Sequence, residues 1–273
     1  MAEYLSPGVY VEEYDDSPRS IEGVGTSTAG FVGMAVRGAA KGAPSLITNF
    51  AGFLREFGGY LSEFTHREYR YLAGCVEQFF ANGGTRCYVA RVTAPGAEAA
   101  GTKLGIMQVD AANEGVWGNR IQLTAVSVTK KKLQLMEKLQ DNTYRAKSAD
   151  GLLEGDIVVF EEEYNRISSI FDNNITFEKA FANDPTDADL VPKKVLYLVE
   201  TDIQVRYNEM VENYTGLSFN IASPSYIEGR MRKSELVRVQ VEPMNAAADP
   251  VEQLFGNGKK SGTAILTGGS NGN

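Results

Sequence analysis

Between residues 104 and 240 short apolar runs recur in strand rhythm, each closed by turn-forming residues. The runs are Ile121 to Val128, Ile157 to Phe160, Arg166 to Ile170, Ile175 to Phe177, Val195 to Val205 and Val237 to Val241. Glu154-Gly155-Asp156 and Asp172-Asn173-Asn174 punctuate them. A period of two buries one face of each strand, and many short strands satisfy that burial as a small all-β domain, either a sandwich or a barrel. Gly155 to Phe177 reads as a compact three-strand meander. Lys130-Lys131-Lys132 falls between alternating stretches and reads as a solvated turn or strand end.

The preceding stretch has a different texture. Ala29 to Val36 is a continuous run of small apolar residues, suited to a buried strand. Asn49 is placed to cap a helix carrying Phe50, Phe53, Leu54 and Phe57 at helical spacing, with Gly58-Gly59 as its stop. A second helix puts Leu72, Cys75, Val76, Phe79 and Phe80 on one face and ends at Asn82-Gly83-Gly84. A strand, Arg86 to Val92, follows at once. This β-α-α-β order predicts an open α/β sheet covered by helices. Residues 93–101, rich in Ala, Gly, Pro and Thr, read as a linker. Past the β region, Asp249-Pro250 opens a short helix with Val251, Leu254 and Phe255, and Thr263 to Gly269 is a strand running into a Gly-rich turn. The expected organisation is an extended arm at 1–20, a first part of the α/β domain at 21–101, an inserted all-β domain at 102–245 and a return to the α/β domain at 246–273.

The arm carries a strand pattern without a local mate. Val9 and Val11 fall on one face and Tyr10 and Glu12 on the other. Ser6-Pro7-Gly8 breaks the chain before them and Asp15-Asp16-Ser17-Pro18 after. A strand with no hairpin partner must pair far away in the chain or with another chain. Tyr4, Val9, Tyr10, Val11, Glu12 and Glu13 are therefore the candidate inter-subunit contact residues.

Charge and scarce chemistry narrow the functions. A net charge of −8 repels phosphate backbones, which speaks against nucleic acid as a partner. No apolar run approaches the ~20 residues of a membrane span, and the N-terminus lacks a secretion pattern, so no direct membrane contact and a cytoplasmic site of synthesis are expected. The single histidine, His66, lies in a polar helix start and would have to serve any Ser-His-Asp triad. Cys75 is assigned to a packed helix face and Cys87 to a strand, both as reduced, buried thiols. Gly23-Val24-Gly25 precedes its apolar strand where a dinucleotide loop would follow it, and Gly268-Gly269-Ser270 reads as a plain turn. The acidic groups Glu12-Glu13, Asp15-Asp16 and Glu161 to Glu163 read as solvated edges. No catalytic residue, cofactor or metal is expected.

Several stretches are similar to those of contractile tail sheath proteins, and in that family's order. They are Tyr4 to Glu13, Ile21 to Gly33, Thr48 to Phe50 with Phe57 to Gly59, Phe79 to Val92, Trp117-Gly118-Asn119-Arg120 and Leu266-Thr267-Gly268-Gly269. The resemblance implies a non-enzymatic subunit that stacks as six-membered rings around an inner tail tube and contracts to drive the tube through a target envelope. It implies arms that pair as strands with neighbouring subunits, and an α/β region likened to subtilisin without its triad. Implied partners are further copies of the chain, the tube protein, and baseplate and tail terminator proteins, in a phage tail or phage-tail-like particle. A sheath-like baseplate or collar component is the alternative of the same kind, and a hydrolase on the α/β domain the alternative of another. Family members usually continue beyond the Leu-Thr-Gly-Gly stretch into a part that lines the tube and receives the arms, so the arm's docking sheet is expected there.

Overall fold

A computed structural model describes residues 28–186, 195–245, 250–255 and 260–272. The first unit contains β1 (Thr28–Gly33), β2 (Ser45–Ile47), α1 (Phe50–Phe57), α2 (Glu63–His66), α3 (Leu72–Ala81) and β3 (Arg86–Arg91). Helix α1 forms where the caps dictate. Asn49 Oδ1 accepts from the Gly52 N–H at 2.8 Å, and the Gly58 N–H closes on the Leu54 carbonyl at 3.0 Å, with Gly58 at a φ of 82° that favours glycine. Its apolar stripe buries Phe53 and Phe57 against Val76 of α3 and Cys87 and Val89 of β3. The sheet order is β1-β3-β2, with β1 parallel and β2 antiparallel to β3. The sequence reading anticipated α1, α3, β1 and β3 and missed α2 and the edge strand β2, which are too short for a period to show.

Cys87 is buried as expected. Cys75 is exposed, which corrects the packed-face assignment. The buried positions of α3 are Leu72, Ala73 and Val76, so the apolar stripe is rotated away from Cys75.

The remainder is β-rich. It comprises β4 (Ala97–Glu98), β5 (Gly101–Leu104), β6 (Met107–Ala111), a 3-10 turn (Val116–Arg120), β7 (Gln122–Gln140), β8 (Thr143–Ala146), β9 (Ile157–Phe160), β10 (Glu163–Phe171), β11 (Asn174–Phe177), β12 (Val195–Tyr207), β13 (Met210–Leu217), α4 (Ile227–Met231), β14 (Val237–Val241), α5 (Pro250–Phe255), β15 (Ser261–Ile265) and β16 (Ser270–Asn271). Two long antiparallel strands, β7 and β12, organise it, pairing from Gln122 with Arg206 to Gln134 with Val195.

The long strands serve two cores. Over one half they are flanked by β15 on β7 and β13 on β12, and this sheet faces the β14-β6-β5 sheet. Leu123, Ala125, Ile203 and Val205 pack there with Met107, Val109, Val237 and Val239 as a sandwich. Over the other half the pairings β7–β8, β8–β11, β11–β10, β10–β9, β9–β12 and β12–β7 close into a ring. That closed barrel is filled by Leu133, Leu135, Tyr144, Phe160, Ile167, Phe177 and Leu196. The sequence offered sandwich or barrel; the chain builds one of each on the same two strands.

The described segments differ from the sequence reading in three places. Lys130-Lys131-Lys132 lies inside β7, not at a turn. The ladder slips there between Thr129–Val199 and Lys132–Tyr197, a bulge that aims Lys130 Nζ at Glu200 at 3.3 Å and Asp202 at 3.7 Å. The linker at 93–101 holds β4 and the first residue of β5, and Ala100 is fully buried. In the stretch assigned back to the α/β domain, β15 pairs with β7 and β16 with β4, while Leu254, Phe255 and Leu266 enter the sandwich core. Among the described residues no helix is long and apolar enough to cross a membrane.

Candidate assembly surfaces

The candidate arm residues Tyr4, Val9, Tyr10, Val11, Glu12 and Glu13 lie outside the described residues. Gly23-Val24-Gly25 and the part of Ile21 to Gly33 before Thr28 also lie outside them. The other stretches that resemble the sheath family are described, and several of them meet at one junction between the first unit and the sandwich.

The 3-10 turn Val116–Arg120 is the centre of that junction. Trp117 is buried, donates its Nε1–H to the Glu114 carbonyl at 3.2 Å, and meets the Tyr207 ring edge-to-face at 5.3 Å. Gly118 is required by close approach, because a Cβ there would stand 2.8 Å from the Cβ atoms of both Ala100 and Ala111. Asn119 donates to the Gly269 carbonyl at 2.9 Å and accepts from the Gly269 N–H at 2.8 Å. Asn271 Oδ1 accepts from the Val116 N–H at 3.0 Å. The Trp-Gly-Asn-Arg and Leu-Thr-Gly-Gly stretches are thus two halves of one clasp.

Arg91, at the end of β3, ties the first unit to this clasp. Its guanidinium is buried and donates to the carbonyls of Ala35 at 3.2 Å, Gly38 at 2.8 Å and Glu114 at 3.0 Å. Arg37 makes a second tie: it donates to the Arg55 carbonyl and lies over the Tyr207 ring at 5.8 Å. Desolvation lowers both guanidinium pKa values. The charge of Glu114 opposes this for Arg91, and Tyr207 leads the groups that oppose it for Arg37.

A cleft of about 400 Å3 opens beside the clasp, lined by Met34, Val36, Leu61, Arg91, Trp117 and Tyr207, with His66 at its wall. The His66 Nδ1 lies 2.7 Å from Thr65 Oγ1, a contact along its own short helix and not with a carboxylate or a nucleophile–acid pair. Among the described residues no three or more His, Cys, Asp or Glu side chains are grouped to hold a metal ion.

Sequence reasoning singled out both halves of the clasp and missed that they touch, since nothing in one sequence pairs positions so far apart. It also missed the burial of Arg91. An arginine at an inward-facing position of an otherwise apolar strand, Cys87-Tyr88-Val89-Ala90-Arg91, was the available signal.

The class this architecture defines is a mixed α+β, strand-rich protein with three cores, two of which are braced at one junction. Two solved structures overlap it. A sheath tail protein from Listeria innocua does so at a TM-score of 0.41 and 13% identity, over 89% of this chain and 34% of that one. A sheath tail protein from Desulfitobacterium hafniense does so at a TM-score of 0.36 and 11% identity, over 97% of this chain and 40% of that one. The chain therefore spans well under half the length of either. No protein-family model matches the sequence, and no curated protein does.

Proposed function

We propose that the chain is a structural subunit of a contractile tail sheath, polymerising as stacked hexameric rings around an inner tube and contracting to drive that tube through a target envelope. Its partners in this reading are further copies of itself, the tube protein, and baseplate and terminator proteins, and its acidic arm pairs as a strand with a neighbouring subunit. The observation that carries the reading is the convergence at the junction. Arg91, Trp117, Asn119 and Gly269 all belong to stretches that resemble the sheath family, and all meet at the junction that braces one core against another. A subunit that transmits force between neighbours must not shear between its own cores. Buried arginines and a two-bond clasp across the junction supply that resistance, because breaking them exposes unpaired buried polar groups.

Electron microscopy of the protein expressed together with its tube protein tests the proposal. Rings or tubes of constant diameter enclosing the tube are expected. A monomer that stays dispersed at all concentrations, with tube present, would overturn it.

A further inference from the structure

The cleft beside the clasp is charged against the balance of the chain. The protein as a whole carries −8. Yet the described residues that line the cleft include Arg91, Arg120 and the chain's one histidine, His66, and no Asp or Glu. A buried arginine is normally matched by a carboxylate. Arg91 is 4% exposed, and among the described residues no carboxylate lies within ion-pair distance of it or of Arg120. The acidic residue whose charge reaches Arg91 is Glu114, which stands 3.9 Å from Lys41 and offers Arg91 its backbone carbonyl. The two arginines differ in what they have left to give. Arg91 uses Nε and Nη1 on three carbonyls of its own chain. Arg120, at the end of the 3-10 turn, is exposed and unpaired. The rest of the wall is mainly apolar. Met34, Val36 and Leu61 stand against Trp117 and Tyr207, and Val116 and Val92 line the same space while 51% and 43% exposed.

We infer that this cleft binds a small organic carboxylate, its apolar body against Met34, Leu61 and Trp117 and its carboxylate paired with Arg120 in the positive field of Arg91. The form of the site is that of a small-molecule pocket: a concave space of about 400 Å3, a largely apolar wall and a few polar groups that fix orientation. The ligand class follows from what each alternative leaves unsatisfied. A compact inorganic anion would leave the apolar wall in water. A neutral hydrocarbon would desolvate the arginines and supply no counter-charge. An organic cation would meet Arg91 and Arg120 with like charge. An acid with an apolar body satisfies both halves of the wall, and the planar guanidinium of Arg120 accepts a carboxylate through two parallel hydrogen bonds. Asn119 and Asn271 also line the cleft, but their side chains are engaged in the clasp, which keeps the wall rigid around the ligand. The inference does not depend on the sheath reading.

Trp117 is the chain's only tryptophan, so tryptophan fluorescence reports on the cleft wall. The full chain is titrated with octanoate and with phenylpropionate, each beside its uncharged amide. At least one of the two acids should change the Trp117 emission saturably, with an affinity about ten-fold or more above that of its amide, the scale of one charge-assisted hydrogen bond. Arg120→Gln should bring the acid down to the level of the amide while melting with the parent, since that side chain is exposed and unpaired. Arg120→Lys, which keeps the charge, should retain most of the preference for the acid. The inference is overturned if neither acid saturates the signal, if each amide binds as tightly as its acid, or if Arg120→Gln leaves the acid's affinity unchanged. The two readings fail separately. Rings or tubes from a chain that binds neither acid would reject the cleft ligand and leave the sheath reading standing. Acid-selective binding without rings or tubes would do the reverse.

Discussion

Asn119 and Gly269 exchange two hydrogen bonds across the junction, the side-chain amide donating to the glycine carbonyl at 2.9 Å and its Oδ1 accepting from the glycine N–H at 2.8 Å. One side chain thereby does for Gly269 what a neighbouring strand would do, and it ends the β15 segment against the 3-10 turn. The glycine is needed because a Cβ would stand 2.6 Å from the Gly115 carbonyl oxygen.

Asn119→Ala is expected to cost about 1–3 kcal/mol, because it orphans a partly buried N–H and C=O at once. The check is the urea midpoint at an unchanged slope. Gly269→Ala should cost at least as much by forcing the clasp apart. A change below about 0.3 kcal/mol in both would show that the clasp carries no load.

Arg91→Lys keeps the charge and should still destabilise by about 2–3 kcal/mol. The guanidinium reaches three carbonyls, those of Ala35, Gly38 and Glu114, from one planar fork, and an ammonium cannot span them. The expected signature is earlier exchange of the amides that join the first unit to the 3-10 turn, seen by hydrogen exchange before global melting. An unshifted exchange pattern would mean that the arginine is not a brace.

What was legible in the sequence was local. The cap at Asn49, the strands Ile157–Phe160 and Val237–Val241, and the meander of β9 to β11 follow from periods and punctuation. What was not legible needed partners distant in sequence. β7 continues, with a bulge, through Lys130-Lys131-Lys132 in its ladder with β12, where Glu200 and Asp202 receive Lys130, and no short window of the sequence contains both strands. The apparent linker is held because Gly101 and Thr267 exchange backbone bonds at 2.8 and 3.1 Å. Ala100 is small and sits between Ala99 and Gly101, so its full burial under Gly118 leaves no compositional trace. The clasp halves stood out as motifs, and their contact belongs to tertiary structure alone.

The β region should fold as an independent unit only if its outer strands come with it. A fragment of residues 102–245 loses Ala100, Leu254, Phe255 and Leu266 from the sandwich core and strips β15 from β7. Each buried large apolar side chain contributes about 1.5–3 kcal/mol, a loss on the scale of a whole domain's stability. Expressed alone, 102–245 should melt early or aggregate, whereas 97–272 should unfold cooperatively. Equal melting of the two fragments by circular dichroism would show that the closing strands are dispensable.

The barrel should be the part that alkali opens, through Tyr144. Its ring is fully buried between Phe177 at 5.9 Å and Phe181 at 6.0 Å, and among the described residues its hydroxyl makes a long contact of 3.5 Å to the Asp141 carbonyl. Desolvation, aided by the charges of Asp184, Glu163 and Asp141, pushes its pKa up to about 12. In the unfolded chain a tyrosine titrates near 10. The folded value is the higher one, so the contribution is fully present below about pH 10. It is lost as pH rises from there through about 12, where the unfolded chain releases a proton that the folded one retains. Tyr144→Phe removes that proton. At neutral pH the change should stay within about 1 kcal/mol, since only a long hydrogen bond is deleted. Between pH 10 and 12 the variant should keep barrel amides of β8 and β11 protected where the parent loses them. Tyr214 and Tyr226, also raised by burial, line the sandwich and remain in both proteins, so global melting alone would blur the difference. Amide exchange resolved to the two cores separates them, and an identical alkaline loss of protection in β8 and β11 of parent and variant would remove Tyr144 as the cause.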